Sequence, residues 1–403
     1  MADTDTDTIL PLAGIRVLDI SNYLAAPMLT MFLADFGAEV IKVERPDTGD
    51  EMRFWGPDKD GVGLYFKVIN RNKRVITADL RTELGADIVK KLAAKADIVV
   101  ENYRPGKLAS WGLDYDVLSQ GNPGLIMCKI TGFGQTGPYK DRPGFGTLAE
   151  SFGGYVNITG EADGPPLLPA FGLGDSTTGL AGAFLTMVAL QARNVNGGRG
   201  QIIDLALYEP LFTFIGPHVI DYDQLGVVQK RAGSRLPFTA PRNTYRTRDN
   251  EYLIIGGSAQ STFQRICIAL ECMEIYEDPR FKDNRTRLQH VEPLDAALQA
   301  AVEKFDLEDI LARCDKVDAT VMPVYDVVKA INDPHYQARE TVISMDDEEL
   351  GTLRMQNVVG KLSLNPGRIT HAGPPLGKHN REVLVDELGY DPQVLADNGY
   401  TLN

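Results

Sequence analysis

The stretch Gly172-Leu173-Gly174-Asp175-Ser176-Thr177-Thr178-Gly179 is where this sequence could do chemistry. Pro165, Pro166 and Pro169, then Gly172 and Gly174, lead one carboxylate to the head of an apolar run, Leu180 to Ala192. That run has few β-branched residues and almost no charge, which predicts a buried helix. Asp175 then takes the N-cap position, beside backbone N–H groups that have no partner. Those N–H groups keep a carboxylate ionised, and the glycines leave room for a substrate to reach its oxygens. An ionised, approachable carboxylate can attack an acyl group and hold it covalently. The same residue types also make a plain helix cap, and the rest of the chain has to choose between the two.

The elements that must position Asp175 alternate in type. Gly14 to Ile20 reads as a strand, Ala25 to Phe36 as a helix closed by Gly37, and Ala38 to Glu44 as a strand. Val75 to Leu80, Asp97 to Val100, Leu125 to Ile130 and Gln201 to Ala206 are further strands, with a helix over Glu83 to Ala96. Strands alternating with helices predict a parallel sheet covered on both faces, with ligands bound outside the carboxyl ends of its strands. Those ends carry Arg45, Arg53 and Trp55, then Arg71, Lys73, Arg74 and Arg81, then Asn102, Tyr103, Arg104 and Lys107. Such residues make either a solvated basic rim or a grip on a phosphate-rich ligand, with Tyr103 or Trp55 to stack on it. Gly132-Phe133-Gly134-Gln135-Thr136-Gly137 matches the dinucleotide fingerprint, but Pro138 and Pro143 turn the next residues into a loop. A pyrophosphate needs a helix N-terminus there, so nicotinamide and flavin are not expected.

The fold class expected from this alternation is α/β: a Rossmann-like large domain with a parallel sheet, plus a smaller α+β domain. The expected boundaries are 1–224 for the large domain, 225–325 for the small one and 326–403 for a C-terminal return to the first. Across 403 residues, 43% hydrophobic and 24% charged residues describe an ordinary globular protein. No apolar run is expected to reach membrane-spanning length. The acidic repeat over residues 1–8 is the opposite of a secretory leader and reads as a disordered lead-in. The cytoplasm is the expected compartment. A net charge of −14 argues against nucleic acid and anionic membranes as partners. Cys128, Cys267, Cys272 and Cys314 lack C-x-x-C spacing, and no histidine pair stands at ligand spacing, so no metal site is expected.

Taken in order, these stretches closely resemble the class III coenzyme A transferases, the CaiB–BaiF family. The resemblance runs from Leu12 to Tyr390 through Val40-Ile41-Lys42-Val43-Glu44-Arg45, Asn70-Arg71-Asn72-Lys73-Arg74 and Val100-Glu101-Asn102-Tyr103-Arg104-Pro105-Gly106. It continues through Thr131 to Pro138, Gly174-Asp175 and Pro374-Pro375-Leu376-Gly377. It implies that Asp175 attacks an acyl-CoA and carries coenzyme A as an aspartyl thioester, from succinyl-CoA or a similar donor to a carboxylic acid acceptor. It implies no permanently bound cofactor, the coenzyme A thioester being a substrate. Arg45, Arg81, Asn102, Tyr103 and Arg104 fall on coenzyme-contacting positions, while Ser110 stands where family members carry an arginine. Gly256 and Gly257 fall on a catalytic glycine loop that covers the intermediate, and Trp55, Phe145 and Arg142 fall at the substrate. Family members form interlocked, ring-shaped homodimers. Two alternatives share the fold: an α-methylacyl-CoA racemase, whose histidine is replaced here by Phe145, and a non-catalytic acyl-CoA-binding protein.

Overall fold

Six short strands build the centre of the molecule: β1 (Arg16–Asp19), β2 (Glu39–Glu44), β3 (Lys73–Thr77), β4 (Ile98–Glu101), β5 (Ile126–Thr131) and β6 (Ile202–Ala206). The computed structural model describes residues 9–402, so the acidic repeat over 1–8 lies outside the described residues. All five neighbouring pairs are parallel, in the order β3-β2-β1-β4-β5-β6. Side chains alternate across this sheet. Val17, Val40, Ile98 and Ile126 point to one face, and pack with Leu29 of α1 (Ala25–Asp35) and Ala183 and Leu190 of a long helix further on. Their neighbours Leu18, Ile41, Val99 and Met127 point to the other, where Ile88 and Leu92 belong to the helix Glu83–Ala93. Burial on both faces is what requires continuous apolar strands.

The strand order reverses between β1 and β4. The connections leave those two carboxyl ends in opposite directions, which opens a crevice between them. A buried charge network holds the chain there. Lys42 pairs with Asp50 at 2.7 Å and Lys73 with Asp19 at 3.1 Å, all four side chains being sealed from solvent. Lys42 also donates to the Ser21 carbonyl at 2.8 Å, and Asp50 accepts the Tyr23 N–H at 2.9 Å. Burial pushes Asp19 up, but Lys42 and Lys73 outweigh it and hold the carboxyl well below the usual range. Burial is also the largest influence on Lys73, which is drawn down to about 8. The network fixes the turn after β1, and Tyr23 leaves it with φ 65°.

Further helices of this unit include α2 (Leu64–Ile69), α3 (Glu83–Ala93), α4 (Gly146–Phe152) and α5 (Leu173–Val195). At 23 residues α5 is long and apolar enough to span a membrane, contrary to the sequence expectation. It is fastened into the fold instead. A Cβ on Gly182 would come within 2.6 Å of Leu29 of α1, and Arg193 near the far end pairs with Asp97 at 3.0 Å.

The chain divides into two compact units, and the sheet unit takes the residues up to Tyr155, Leu168–Val219 and everything from Gln337. The second unit, Val156–Leu167 with Ile220–Tyr336, has an antiparallel sheet of β7 (Arg242–Arg246), β8 (Tyr252–Gly256) and β9 (Val321–Pro323) under helices. The segment 156–167, placed with the large domain by sequence, packs here because Gly160 accepts the Gly233 N–H at 2.9 Å and Arg231 reaches the Gly164 carbonyl. All four cysteines are free and buried.

Candidate active site

The crevice predicted by the strand order is a cleft of about 290 Å³. Asn22 and Tyr23 enter it from the end of β1, Asn102 to Pro105 from the end of β4, and Thr131 and Gly132 from the end of β5. Asp175 closes its inner side. The walls are tied together through amide groups. The Asn102 side chain accepts the Asn22 N–H at 2.9 Å and donates to the Asn22 carbonyl at 2.7 Å. Asn102 is therefore a strap between β1 and β4. The Tyr103 N–H binds the buried Glu101 at 2.8 Å, and burial pushes that carboxyl up to about 7.

Asp175 is not an N-cap. α5 starts at Leu173 with Gly172 as its cap, seven residues before the start expected at Leu180, so the carboxylate sits in the first helical turn. Gly174, Thr177, Thr178 and Gly179 look like loop residues, but they serve the helix. Thr177 and Thr178 donate back to the carbonyls of Leu173 and Gly174 at 2.9 and 2.7 Å. Asp175 is also not held strongly ionised by helix N–H groups. Burial, and next the charge of Glu150, push it up to about 6. Its carboxylate makes no hydrogen bond among the described residues.

The packing around it is close. A Cβ on Gly146 would fall 2.1 Å from Asp175 Oδ2, so only glycine fits beside the carboxylate. Glu150, one turn further along α4, accepts the Gly174 N–H at 3.0 Å. Burial and the Asp175 charge together push the Tyr65 phenol of α2 upward.

The remaining expected residues fall into three groups. Arg104, Arg142 and Phe145 line the cleft with Asn102, Tyr103 and Asp175. Arg142 lies over the Tyr139 ring at 3.7 Å, and it has no carboxylate partner among the described residues. Trp55 stands behind the cleft wall, edge-on to Tyr23 at 5.7 Å, and Tyr23 is edge-on to Phe145 at 5.9 Å. Arg45 pairs with Glu51, a cleft residue, at 2.6 Å. Arg81 pairs with Asp79 at 2.8 Å and faces a second groove, which it shares with Lys90, Ser110 and Trp111. The two sites adjoin, because Trp111 meets Tyr103 edge-on at 5.2 Å. Gly256 and Gly257 lie in the second unit, where their N–H groups are taken by the carbonyls of Thr320 and Pro241 at 3.3 and 2.9 Å.

The glycine fingerprint at 132–137 leads into a loop, as its prolines predict. Gly132 and Gly144 touch at their α-carbons, where a Cβ on Gly144 would fall 2.4 Å from Gly132, so the loop's two ends meet. Tyr23, Glu150, Gly146 and Tyr65 were not singled out by sequence reasoning. Gly146 and Glu150 left a trace there only as members of the stretch Phe145 to Glu150, which resembles family members that use dicarboxylates.

Comparison with known proteins agrees with this geometry. The sequence signature of CoA-transferase family III matches residues 12–380. A succinyl-CoA–D-citramalate CoA-transferase of Chloroflexus aurantiacus is 41% identical over 387 residues, 96% of each chain. A succinate–glutarate CoA-transferase of Agrobacterium fabrum is 34% identical, over 93% of this chain and 95% of that one. The crystal structure of a CaiB/BaiF family protein from Brucella suis, 34% identical, superposes with a TM-score of 0.83 over 94% of this chain and 99% of the other. With the match running through the sheet, the cleft and Asp175 alike, this chain belongs to CoA-transferase family III and is a CoA-transferase.

Proposed function

We propose that this enzyme moves coenzyme A from succinyl-CoA, or a similar dicarboxylic acyl-CoA, to a second carboxylic acid through Asp175. The observation that carries the reading is the unbonded Asp175 carboxylate opening into a cleft that also holds the unpaired Arg142. An Asp175 oxygen attacks the thioester carbonyl, and the C–S bond breaks to release coenzyme A as thiolate. The thiolate attacks Cγ of Asp175 and expels the donor acid, which leaves an aspartyl-CoA thioester. The acceptor acid reverses both steps. Arg104, Asn102 and Tyr103 hold the coenzyme in the cleft, with Arg45 and Arg81 at its phosphates and Lys90 in the groove where Ser110 replaces an arginine. Arg142 receives the second carboxylate of the substrate, while Trp55 and Phe145 flank Tyr23 along the acyl side.

Each tetrahedral step needs a donor for its oxyanion. The Gly174 N–H is given to Glu150, and the N–H groups of Gly256 and Gly257 are given to carbonyls. A part for that glycine pair would require those bonds to open. The racemase alternative needs a base where Phe145 stands, and no histidine lines the cleft among the described residues.

The test is intact-protein mass spectrometry after incubation with succinyl-CoA. An adduct mapping to Asp175 and missing in Asp175→Ala is expected; no adduct with any of several acyl-CoAs would return Asp175 to a structural role. In the same preparation, Arg142→Gln should raise KM for dicarboxylic acceptors and leave monocarboxylic ones unchanged, and equal effects on both would remove Arg142 from the site.

We propose further that the working form is a homodimer. Leu180, Phe184, Met187 and Val188 of α5 are left largely exposed, beside an apolar hollow with Phe32, Phe36, Val359 and Leu362. A second copy covers this face. Sedimentation at micromolar concentration should give a dimer, and a monomer would overturn the assignment. Four unpaired, buried thiols suit a reducing compartment such as the cytoplasm.

A further inference from the structure

Glu150 is only 2% exposed, yet its carboxylate has no lysine, arginine or histidine within ion-pair distance among the described residues. Its one bond is to a neutral donor, the Gly174 N–H at 3.0 Å. Glutamine in this position would accept the same N–H and avoid the expense of burying a charge. A carboxylate kept there points to a use for the charge itself, and the use lies one residue away.

We propose that Glu150 is a positioning residue of the transfer reaction: it clamps the first turn of α5 and, through its charge, keeps the Asp175 carboxylate basic enough to open a thioester. The inference rests on Asp175 being the nucleophile.

The geometry forces the two acids together. A Cβ on Gly174 would meet the Gly146 carbonyl at 2.8 Å and Glu150 Cγ at 3.3 Å, so α4 and α5 approach backbone to backbone with the Asp175 oxygens beside Gly146. Glu150 takes the Gly174 N–H, a donor of the same first turn, for itself. The other groups around that turn do not compensate. α2 presents the Tyr65 phenol, and the start of α1 presents Leu24 and Met28, the latter against Gly179. The open side carries the exposed Arg104, Lys140 and Arg142, and the half-buried Glu51, which is paired with Arg45. Burial comes first and Glu150 second in pushing Asp175 up to about 6.

This suits both halves of the chemistry. A more basic carboxylate attacks the thioester carbonyl faster. It also decides how the mixed anhydride breaks. Thiolate attack on Cγ of Asp175 forms the S–C bond and expels the substrate carboxylate. Attack on the substrate carbonyl expels Asp175 instead and restores the starting thioester. The weaker base leaves more readily, so a basic Asp175 stays bonded and the reaction runs forward.

The test is Glu150→Gln, which keeps the acceptor for Gly174 and removes the charge. The readout is kcat/KM for transfer from succinyl-CoA as a function of pH, where substrate ionisation is common to both enzymes and cancels in the difference. Wild-type activity should fall with acidification around a midpoint near 6, the value to which Asp175 is pushed. Glu150→Gln should move that midpoint down by on the order of one pH unit and lower the plateau at alkaline pH several-fold. Coincident profiles would overturn the proposal, since a purely structural Glu150 changes the plateau alone. Should Glu150→Gln fail to fold, Glu150→Asp takes its place, drawing the charge back by one methylene: a midpoint below the wild type's supports the proposal, and a coincident one overturns it. If the wild type gives no Asp175 adduct, the covalent reading fails; if it does and the profiles coincide, only the role of Glu150 fails.

Discussion

Asp175→Asn is expected to lower kcat for coenzyme A transfer by roughly ten-thousand-fold or more, because an amide cannot make the anhydride and Glu51, the other carboxylate lining the cleft, is tied to Arg45. The same change should raise thermal stability, and the sign follows from the protonation of Asp175. Its carboxyl is pushed up to about 6 in the folded chain, so the folded state binds a proton more tightly than the unfolded one. That extra stability is present at acidic pH and is lost as pH rises from the ordinary aspartate value through about 6. At neutral pH the buried charge works against folding, and asparagine removes it. Paired melting curves should show Asp175→Asn gaining on the wild type at pH 7 and losing that advantage near pH 4. A variant that is less stable at neutral pH would contradict the burial argument even if it were inactive.

Gly146→Ala is the second change with a large expected effect, and here activity suffers more than stability. The added Cβ would sit 2.1 Å from Asp175 Oδ2, a distance real Cβ atoms do not show. The contact is with the end of a side chain, so Asp175 can turn away while α4 and α5 keep their packing. A nucleophile displaced by about 1 Å costs on the order of a hundredfold in rate. The expected outcome is a drop of that size in kcat, with an unchanged circular dichroism spectrum and slow adduct formation from succinyl-CoA. Wild-type rates from Gly146→Ala would show that the carboxylate reacts from another rotamer.

The sheet was readable in the sequence because β1, β2, β4 and β5 are short, mostly apolar stretches rich in Val and Ile set between helical ones, and burial on both faces leaves few other arrangements. The order of the strands, and so the place of the cleft, was not readable, since it depends on which edge each crossover takes. Asp175 stood out by the glycines around it. Its setting did not, because Gly174 and Gly179 look like loop residues when they are the points where α5 packs against α4 and α1. Tyr23 gave no signal, its position being set by Asp50 and the lysines behind it. Glu150 was hidden for a simpler reason: it follows Ala149 on a short helix, and what makes it unusual is the absence of a cation, which only three dimensions reveal. Arg81 and Arg45 were found as basic residues at strand ends, but their carboxylate partners Asp79 and Glu51 were not anticipated.

The burial of every cysteine bears on how the reaction can be followed. Burial raises the Cys128 thiol to about 12 and the Cys314 thiol to about 11, so neither offers a thiolate near neutral pH. Cys267 and Cys272 are sealed in the core of the second unit. A coloured disulfide reagent added to the folded enzyme should therefore find no protein sulfur to react with. Each equivalent of colour then counts one molecule of coenzyme A set free, which makes acyl-CoA hydrolysis measurable directly beside transfer, without separating enzyme from product.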